Sequence, residues 1–284
     1  MTEIRSIVKQ VLSQLGASRE ARYYLTQYAE DELNFAVIKS GGALIEHQLE
    51  PLADALAFLH NLGLMPIVLH GAGPQLDAAL LSADVPTVKH EGLRVTTPEV
   101  MEVARPVVYR TNRQLVTALE KEGVRAEGIQ HGVFECDYLD QATLGLVGDI
   151  RRVDLEAIRD AVAAGQMPVV ACLGESKTGQ VLNINADFAA RELIWTLNPH
   201  KIIFLTETGG LLDEAGRVIS AISLRTDYEW LIQQPWVHSG MKLKLEQIEQ
   251  ILSKLPDTAS VSITSVDSLC LLYTSDAADD SVLV

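Results

Sequence analysis

The chain has 284 residues, 48% of them apolar and 5% aromatic, with a formal net charge of −15. That apolar share can fill one large core or two cores in continuous contact, and it excludes a disordered chain. The acidic balance argues against nucleic-acid binding, which needs clustered Lys and Arg, and no apolar run reaches the roughly 20 residues of a membrane span. An anionic substrate must then be met by a few locally placed cations.

Residues 1–16 carry charge throughout and lack a signal-peptide core. Cys136, Cys172 and Cys270 are widely spaced, with no Cys-x-x-Cys pair. They read as ordinary thiols of a reducing compartment, so a cytoplasmic location is expected. Ile4, Ile7, Val8, Val11, Leu12 and Leu15 recur at helical spacing before Gly16, which predicts an amphipathic helix in an extension over residues 1–30. That helix packs on its own domain or on another subunit.

Repeated units of apolar run, turn and helix follow. Phe35-Ala-Val-Ile reads as a buried strand ending at Lys39-Ser-Gly-Gly, Leu49 to Leu62 as a helix, and Ile67-Val-Leu as a strand ending at His70-Gly-Ala-Gly-Pro. Pro74 suits a first helical turn, and Gln75 to Leu81 continues it. Thr97-Pro98 caps a long helix to about Lys121, and Gly123 to Ile129 returns as a strand. Short strands with turns are expected from Gly132 to Arg152, then a helix over Leu155 to Ala164, a strand over Met167 to Cys172 and a polar hairpin turn at Gly174 to Gly179. A helix over Asp187 to Leu197, a strand over Lys201 to Leu205, a turn at Asp213 to Gly216, a last helix near Met241 to Leu255 and a final strand at Val261-Ser-Ile complete the pattern. Such alternation predicts an α/β sandwich with a mostly parallel sheet, in one compact domain with two lobes.

Five motifs carry polar chemistry. In Lys39-Ser40-Gly41-Gly42, a lysine leaves the carboxyl end of a buried strand, where open α/β sheets bind ligands, and two glycines let backbone N–H groups approach an anion. Alone, it is equally a tight turn with a solvated lysine. His70-Gly71-Ala72-Gly73-Pro74 follows a second buried strand and opens a helix, whose N–H groups and dipole favour an anion. Close helix–strand packing is the plainer alternative, but two such loops after neighbouring strands can embrace one phosphoryl group. Arg94 in Gly92-Leu-Arg-Val-Thr96 offers a fork for a carboxylate, or a surface ion pair. Asn183-Ile-Asn-Ala-Asp187 leads into a helix; a calcium loop is rejected because Phe188 stands where glycine is required, and capping by Asn185 or Asp187 explains one polar residue better than three. Lys242 and Lys244 near the last helix read as a solvated face or a cation pair, and Phe204 to Asp213 as a strand end and glycine turn able to hold a nucleotide. There is no Gly-x-x-x-x-Gly-Lys-[Ser/Thr] loop and no Gly-x-Gly-x-x-Gly. The seven histidines show no metal spacing.

In this order the five motifs resemble the N-acetylglutamate kinase branch of the amino-acid kinase family, and the wider sequence looks closest to the kinase domain of bacterial bifunctional N-acetylglutamate synthase/kinases. Pro66 to Asp77, Gly145 to Gly148, Leu182 to Ala190 and Gln234-Pro-Trp236 carry the likeness, which runs from about Ile4 to Ser265. The resemblance implies a three-layer αβα sandwich over residues 31–268, with an acyl-substrate N-lobe and an ATP-binding C-lobe. It implies ATP-dependent phosphorylation of the side-chain carboxylate of N-acetyl-L-glutamate in arginine biosynthesis. Lys39 and Lys244 would neutralise the transferring phosphoryl group, and Asp187 would orient them. Backbone N–H groups of Gly41, Gly42, Gly71, Ala72 and Gly73 would cradle the phosphoryl group and the acyl substrate. Arg94 and Asn183 would grip the α-carboxylate, with Asn185 beside them. Thr206, Glu207, Thr208, Gly209, Gly210 and Leu211 would line the ATP side, and Mg²⁺ would arrive with the nucleotide. A homo-oligomer is expected, with arginine as a candidate effector. Two other readings stay open: a different amino-acid kinase, which Arg94 with Asn183 argues against, and a catalytically weak arginine-sensing domain, which Lys39, Asp187 and Lys244 argue against.

The chain departs from that pattern in places. Ser40 stands where an apolar residue is expected. Glu207 stands where that branch is expected to have glycine, and its charge would repel polyphosphate. Residues 269–284 depart most: Cys270 to Asp279 resembles a translated sequencing adapter, and this stretch is expected to be a disordered tail foreign to the domain that leaves arginine binding weak.

Overall fold

Adjacent residues of the buried strands go to opposite sides of one sheet, as a period of two requires. In the computed structural model, which describes residues 36–61, 64–210, 214–218, 224–237, 239–255 and 260–269, Val37 of β1 (Ala36–Ser40) joins one apolar cluster and Ile38 the other. Leu69 and Val68 of β2 (Ile67–His70) divide in the same way, as do Ile202 and Ile203. Strands buried on both faces read as continuous apolar runs, which is why they were legible.

The chain order is simple. After β1 come α1 (Gly42–His47), α2 (Leu49–Asn61), β2 and α3 (Gly73–Ser82). The ribbon β3 (Lys89–His90) and β4 (Leu93–Arg94) precedes the long helix α4 (Pro98–Lys121), whose N-cap Thr97 accepts a hydrogen bond from Val100 N at 3.2 Å. Next are β5 (Ala126–Ile129), β6 (Phe134–Tyr138), α5 (Gln141–Leu144), β7 (Gly148–Val153), α6 (Glu156–Ala163) and β8 (Met167–Ala171). The hairpin β9 (Leu173–Glu175) and β10 (Val181–Asn183) leads into α7 (Ala186–Leu197) and β11 (Lys201–Leu205). The last elements are α8 (Leu224–Leu231), α9 (Ser239–Ser253), β12 (Ser260–Thr264) and α10 (Val266–Leu269).

The central sheet has six strands in the order β12-β11-β1-β2-β8-β5, and every neighbouring pair in it is parallel. Helices α6, α7 and α9 cover one face, and α2, α4 and α10 the other, so the sandwich has three layers. A second sheet, β10-β9-β6-β7, lies beside it, and a third apolar cluster joins α3 to the first half of α4. No helix among the described residues is long and apolar enough to cross a membrane.

Expected and observed elements agree in kind and differ at their ends. Helices α1, α5, α8 and α10 were not anticipated. Gly41-Gly42 was read as a turn, but Gly42 opens a helix there: a Cβ on it would come within 3.0 Å of backbone atoms of Ala72 and Gly73, so glycine permits the contact between the two loops. The helix expected last is followed by α10. The expected N-terminal helix, Phe35, Asp213 and the tail from Cys270 lie outside the described residues.

Candidate active site

Register brings the two glycine loops together. Lys39 pairs with Leu69 and Ser40 with His70, so β1 and β2 end level at the carboxyl edge of the sheet. Gly71 N–H donates to Ser40 O at 3.1 Å, and Gln75 Nε2 donates to Gly42 O at 2.7 Å. The first bond corrects one expectation: the N–H of Gly71 ties one loop to the other, so the remaining loop amides are those of Gly41, Gly42, Ala72 and Gly73. Ser40, where an apolar residue was expected, is fully buried, and its hydroxyl turns back to Gly41 O at 3.3 Å.

Lys39 and Asp187 meet across this edge. Lys39 Nζ lies 2.6 Å from Asp187 Oδ1, and the two side chains are only 12% and 19% exposed. Asp187 sits in the first turn of α7, where the helix dipole favours a carboxylate. Asn185 caps that helix, its Oδ1 accepting from Asp187 N at 2.8 Å and Phe188 N at 3.3 Å. Capping therefore engages one end of the Asn185 amide, while the residue also borders the cavity described next.

That cavity, of about 200 Å³, opens beside the His70 loop. Ala72, Arg94 and Asn183 line it, as does Lys89, a cation that sequence reasoning passed over. The Arg94 side chain is 8% exposed and is held by the Asp77 carboxylate of α3 and by Thr87 Oγ1 at 2.6 Å. Asn183 Nδ2 donates to Thr96 Oγ1 at 3.1 Å, and that hydroxyl donates to Arg94 O at 3.0 Å. Buried Thr96 thus links the two residues expected to grip one carboxylate. Cys172 also borders the cavity; burial pushes its thiol up to about 12, which leaves it un-ionised and a poor nucleophile.

A smaller pocket is lined by the ion pair itself, Lys39 and Asp187, with Thr206 and, from α9, Gln247 and Ile248. Lys244 falls in α9 one helical turn before Gln247 and Ile248; its side chain is outside the described residues. Arg191, one turn after Asp187 on α7, donates to Gln247 Oε1 at 3.1 Å and Gln250 Oε1 at 3.0 Å, joining the two helices.

The loop after β11 is anchored by Thr206 N–H donating to Thr264 O at 2.9 Å. Thr208 Oγ1 donates to Gly210 O at 2.9 Å, and Leu211 lies outside the described residues. Glu207 reaches out to His47 of α1, Oε1 to Nδ1 at 2.8 Å, and this partner raises the imidazole above its ordinary value. Among the described residues, no group of three or more His, Cys, Asp or Glu is placed to hold a metal.

Residues 34–261 match the amino acid kinase family. The chain is 51% identical to an acetylglutamate kinase of Xylella fastidiosa (strain 9a5c) over 251 residues, covering 88% of this chain and 60% of that protein. It is 38% identical to an acetylglutamate kinase of Beutenbergia cavernae over 224 residues, covering 74% of this chain and 72% of that protein. Among solved structures, smu.665 from Streptococcus mutans UA159 superposes with a TM-score of 0.72 at 27% identity, covering 82% of this chain and 95% of that one.

Proposed function

The chain belongs to the amino acid kinase family, and from that premise we propose that it transfers a phosphoryl group from ATP to the side-chain carboxylate of N-acetyl-L-glutamate. The products are N-acetylglutamyl 5-phosphate and ADP, and the reaction belongs to arginine biosynthesis. The observation that carries the reading is the Lys39–Asp187 pair at 2.6 Å, which lines the Thr206 pocket, while Asn185 and Ala186, the residues just before Asp187, border the cavity that holds Arg94 and Asn183. The names of the relatives at 51% and 38% identity supply the acyl substrate.

The chemistry asks for positioning and positive charge more than for covalent help. The attacking carboxylate is ionised at neutral pH, so no general base is needed. Lys39, oriented by Asp187, neutralises charge that spreads over the phosphoryl oxygens in flight; Lys244, from α9, is proposed to do the same from the nucleotide side. Amide N–H groups of Gly41, Gly42, Ala72 and Gly73 complete the cradle. Arg94, already steadied by Asp77 and Thr87, takes the α-carboxylate together with Asn183. A divalent cation, Mg²⁺ in this reading, enters on the phosphates as part of the nucleotide substrate.

A hydroxamate assay traps the acyl phosphate directly. With MgATP, acetylglutamate is expected to give signal while free glutamate and aspartate give little. Equal signal from all three, or signal from aspartate alone, would remove the substrate assignment.

A further inference from the structure

His70 closes β2 and is fully buried between the carboxyl ends of β1 and β8, where it also borders the cavity. Asn112, fully buried in the middle of α4, faces it: Asn112 Nδ2 lies 3.1 Å from His70 Nε2 and donates to Val169 O at 2.8 Å. The Val169 carbonyl can only accept, so the NH₂ end of the amide must point to it. The same nitrogen then offers its second hydrogen to His70 Nε2. That makes Nε2 the acceptor and leaves the ring proton on Nδ1. Burial keeps the ring neutral by lowering its pKa to about 4, so it has one proton to place. Nδ1–H points at Gly71 O, 3.2 Å away.

The other end of the Asn112 amide is unusual. Asn112 Oδ1 is buried without a hydrogen-bond partner, against Gly128, where any Cβ would collide with it. An orphaned acceptor in a core is destabilising. The amide is therefore explained by what its nitrogen does, not by filling space.

The C=O and N–H of a trans peptide point in opposite directions. Holding Gly71 O toward the imidazole turns the N–H of Ala72 away from it. We propose that Asn112 and His70 form a relay that fixes the Gly71–Ala72 peptide plane and so aims the Ala72 N–H at the transferring phosphoryl group. Both are positioning residues, and the assignment deepens the kinase reading and rests on it.

Nitrogen-15 NMR of the full chain reads the His70 tautomer without any substitution. A proton on Nδ1 is the expected result; a proton on Nε2 overturns the relay. In turnover, Asn112→Asp removes the donor to Nε2 and draws the ring proton there, and it is expected to lower kcat about 100-fold while both KM values stay within about threefold. His70→Phe keeps the volume without the donor and is expected to match it. His70→Asn, whose amide reaches where Nδ1–H does, is expected to recover kcat to within about tenfold of the parent chain. Thermal unfolding separates a misaimed peptide from an unfolded one, and if Asn112→Asp does not fold, the tautomer decides alone. Equal kcat for His70→Phe and His70→Asn would also overturn the relay. A parent chain that makes no acyl phosphate, yet shows the Nδ1–H tautomer, would sink the kinase reading and leave the relay geometry standing.

Discussion

On the cavity side, the Arg94 side chain is only 8% exposed and is held by Asp77 and Thr87, buried Thr96 links Asn183 to the Arg94 backbone, and His70 is held separately by buried Asn112. On the side proposed for the nucleotide, the loop from Thr206 to Gly210 bonds mostly to itself, and Glu207, with its partner His47, is 46% and 59% exposed. The difference teaches where discrimination resides. Side chains locked in place reject a wrong acyl group because its unmatched polar atoms would stay unpaired. An exposed loop suits the role proposed for it, holding and releasing a nucleotide shared by many enzymes. Substitutions on the cavity side should therefore cut deeply and selectively, and those on the loop shallowly.

The largest effect belongs to the Lys39–Asp187 pair. Lys39→Met is expected to lower kcat about 1,000-fold and Asp187→Asn about 100-fold, with KM little changed, in the hydroxamate assay. An Asp187→Asn protein with parental kcat would show that the ion pair is only structural. Next, Arg94→Ala is expected to cost about 2–5 kcal/mol in kcat/KM for acetylglutamate and little in the ATP KM. Equal losses for both substrates would dissolve the contrast between the two sides. Thr96→Val removes the hydroxyl between Asn183 and Arg94, and an acetylglutamate KM raised about tenfold is expected, with Thr96→Ser restoring most of it. If serine fails as valine does, the hydroxyl is not what matters.

The smallest effect is on the loop. His47 is raised by Glu207, so the charged pair is present at low pH and lost as pH climbs through the raised value. Losing the imidazolium leaves Glu207 uncompensated in the loop proposed to hold the nucleotide. The ATP KM is then expected to rise by about twofold between about pH 6 and about pH 8, and Glu207→Gln to flatten that rise. A large or inverted dependence in kinetic titrations would place Glu207 closer to the phosphates than its exposure implies.

The same contrast governs what could be read in advance. Strand β11 was delimited correctly because Lys201–Leu205 is an apolar run buried on both faces, and α4 because Thr97-Pro98 is a strong start signal. Helix α5, at Gln141–Leu144, is too short to show a period. The two glycine loops were legible one at a time, but their mutual contact depends on strand register. The Lys39–Asp187 pairing came only from resemblance, since no local pattern joins distant residues. Thr96 and Asn183, 87 positions apart, and Asn112 and His70, 42 apart, were invisible as pairs for the same reason. Asn112 did leave a trace: it stands among the buried positions Val108, Leu115 and Leu119 of an amphipathic helix, where a polar side chain calls for an explanation.

The all-parallel sheet has a consequence for how the chain is made. Strand β1 lies between β2 and β11, and β11 is synthesised more than half a chain length after it. At about 5–20 residues per second on the ribosome, β1 waits on the order of ten to thirty seconds for that neighbour. For that interval one edge of an apolar strand stands unpaired, a ready template for association with other chains. Lys39 likewise cannot meet Asp187 until α7 has emerged and docked. Recovery of activity after dilution from denaturant should therefore lag behind recovery of helical signal, because non-local parallel pairing is slow and the site is among the last things the sheet assembles.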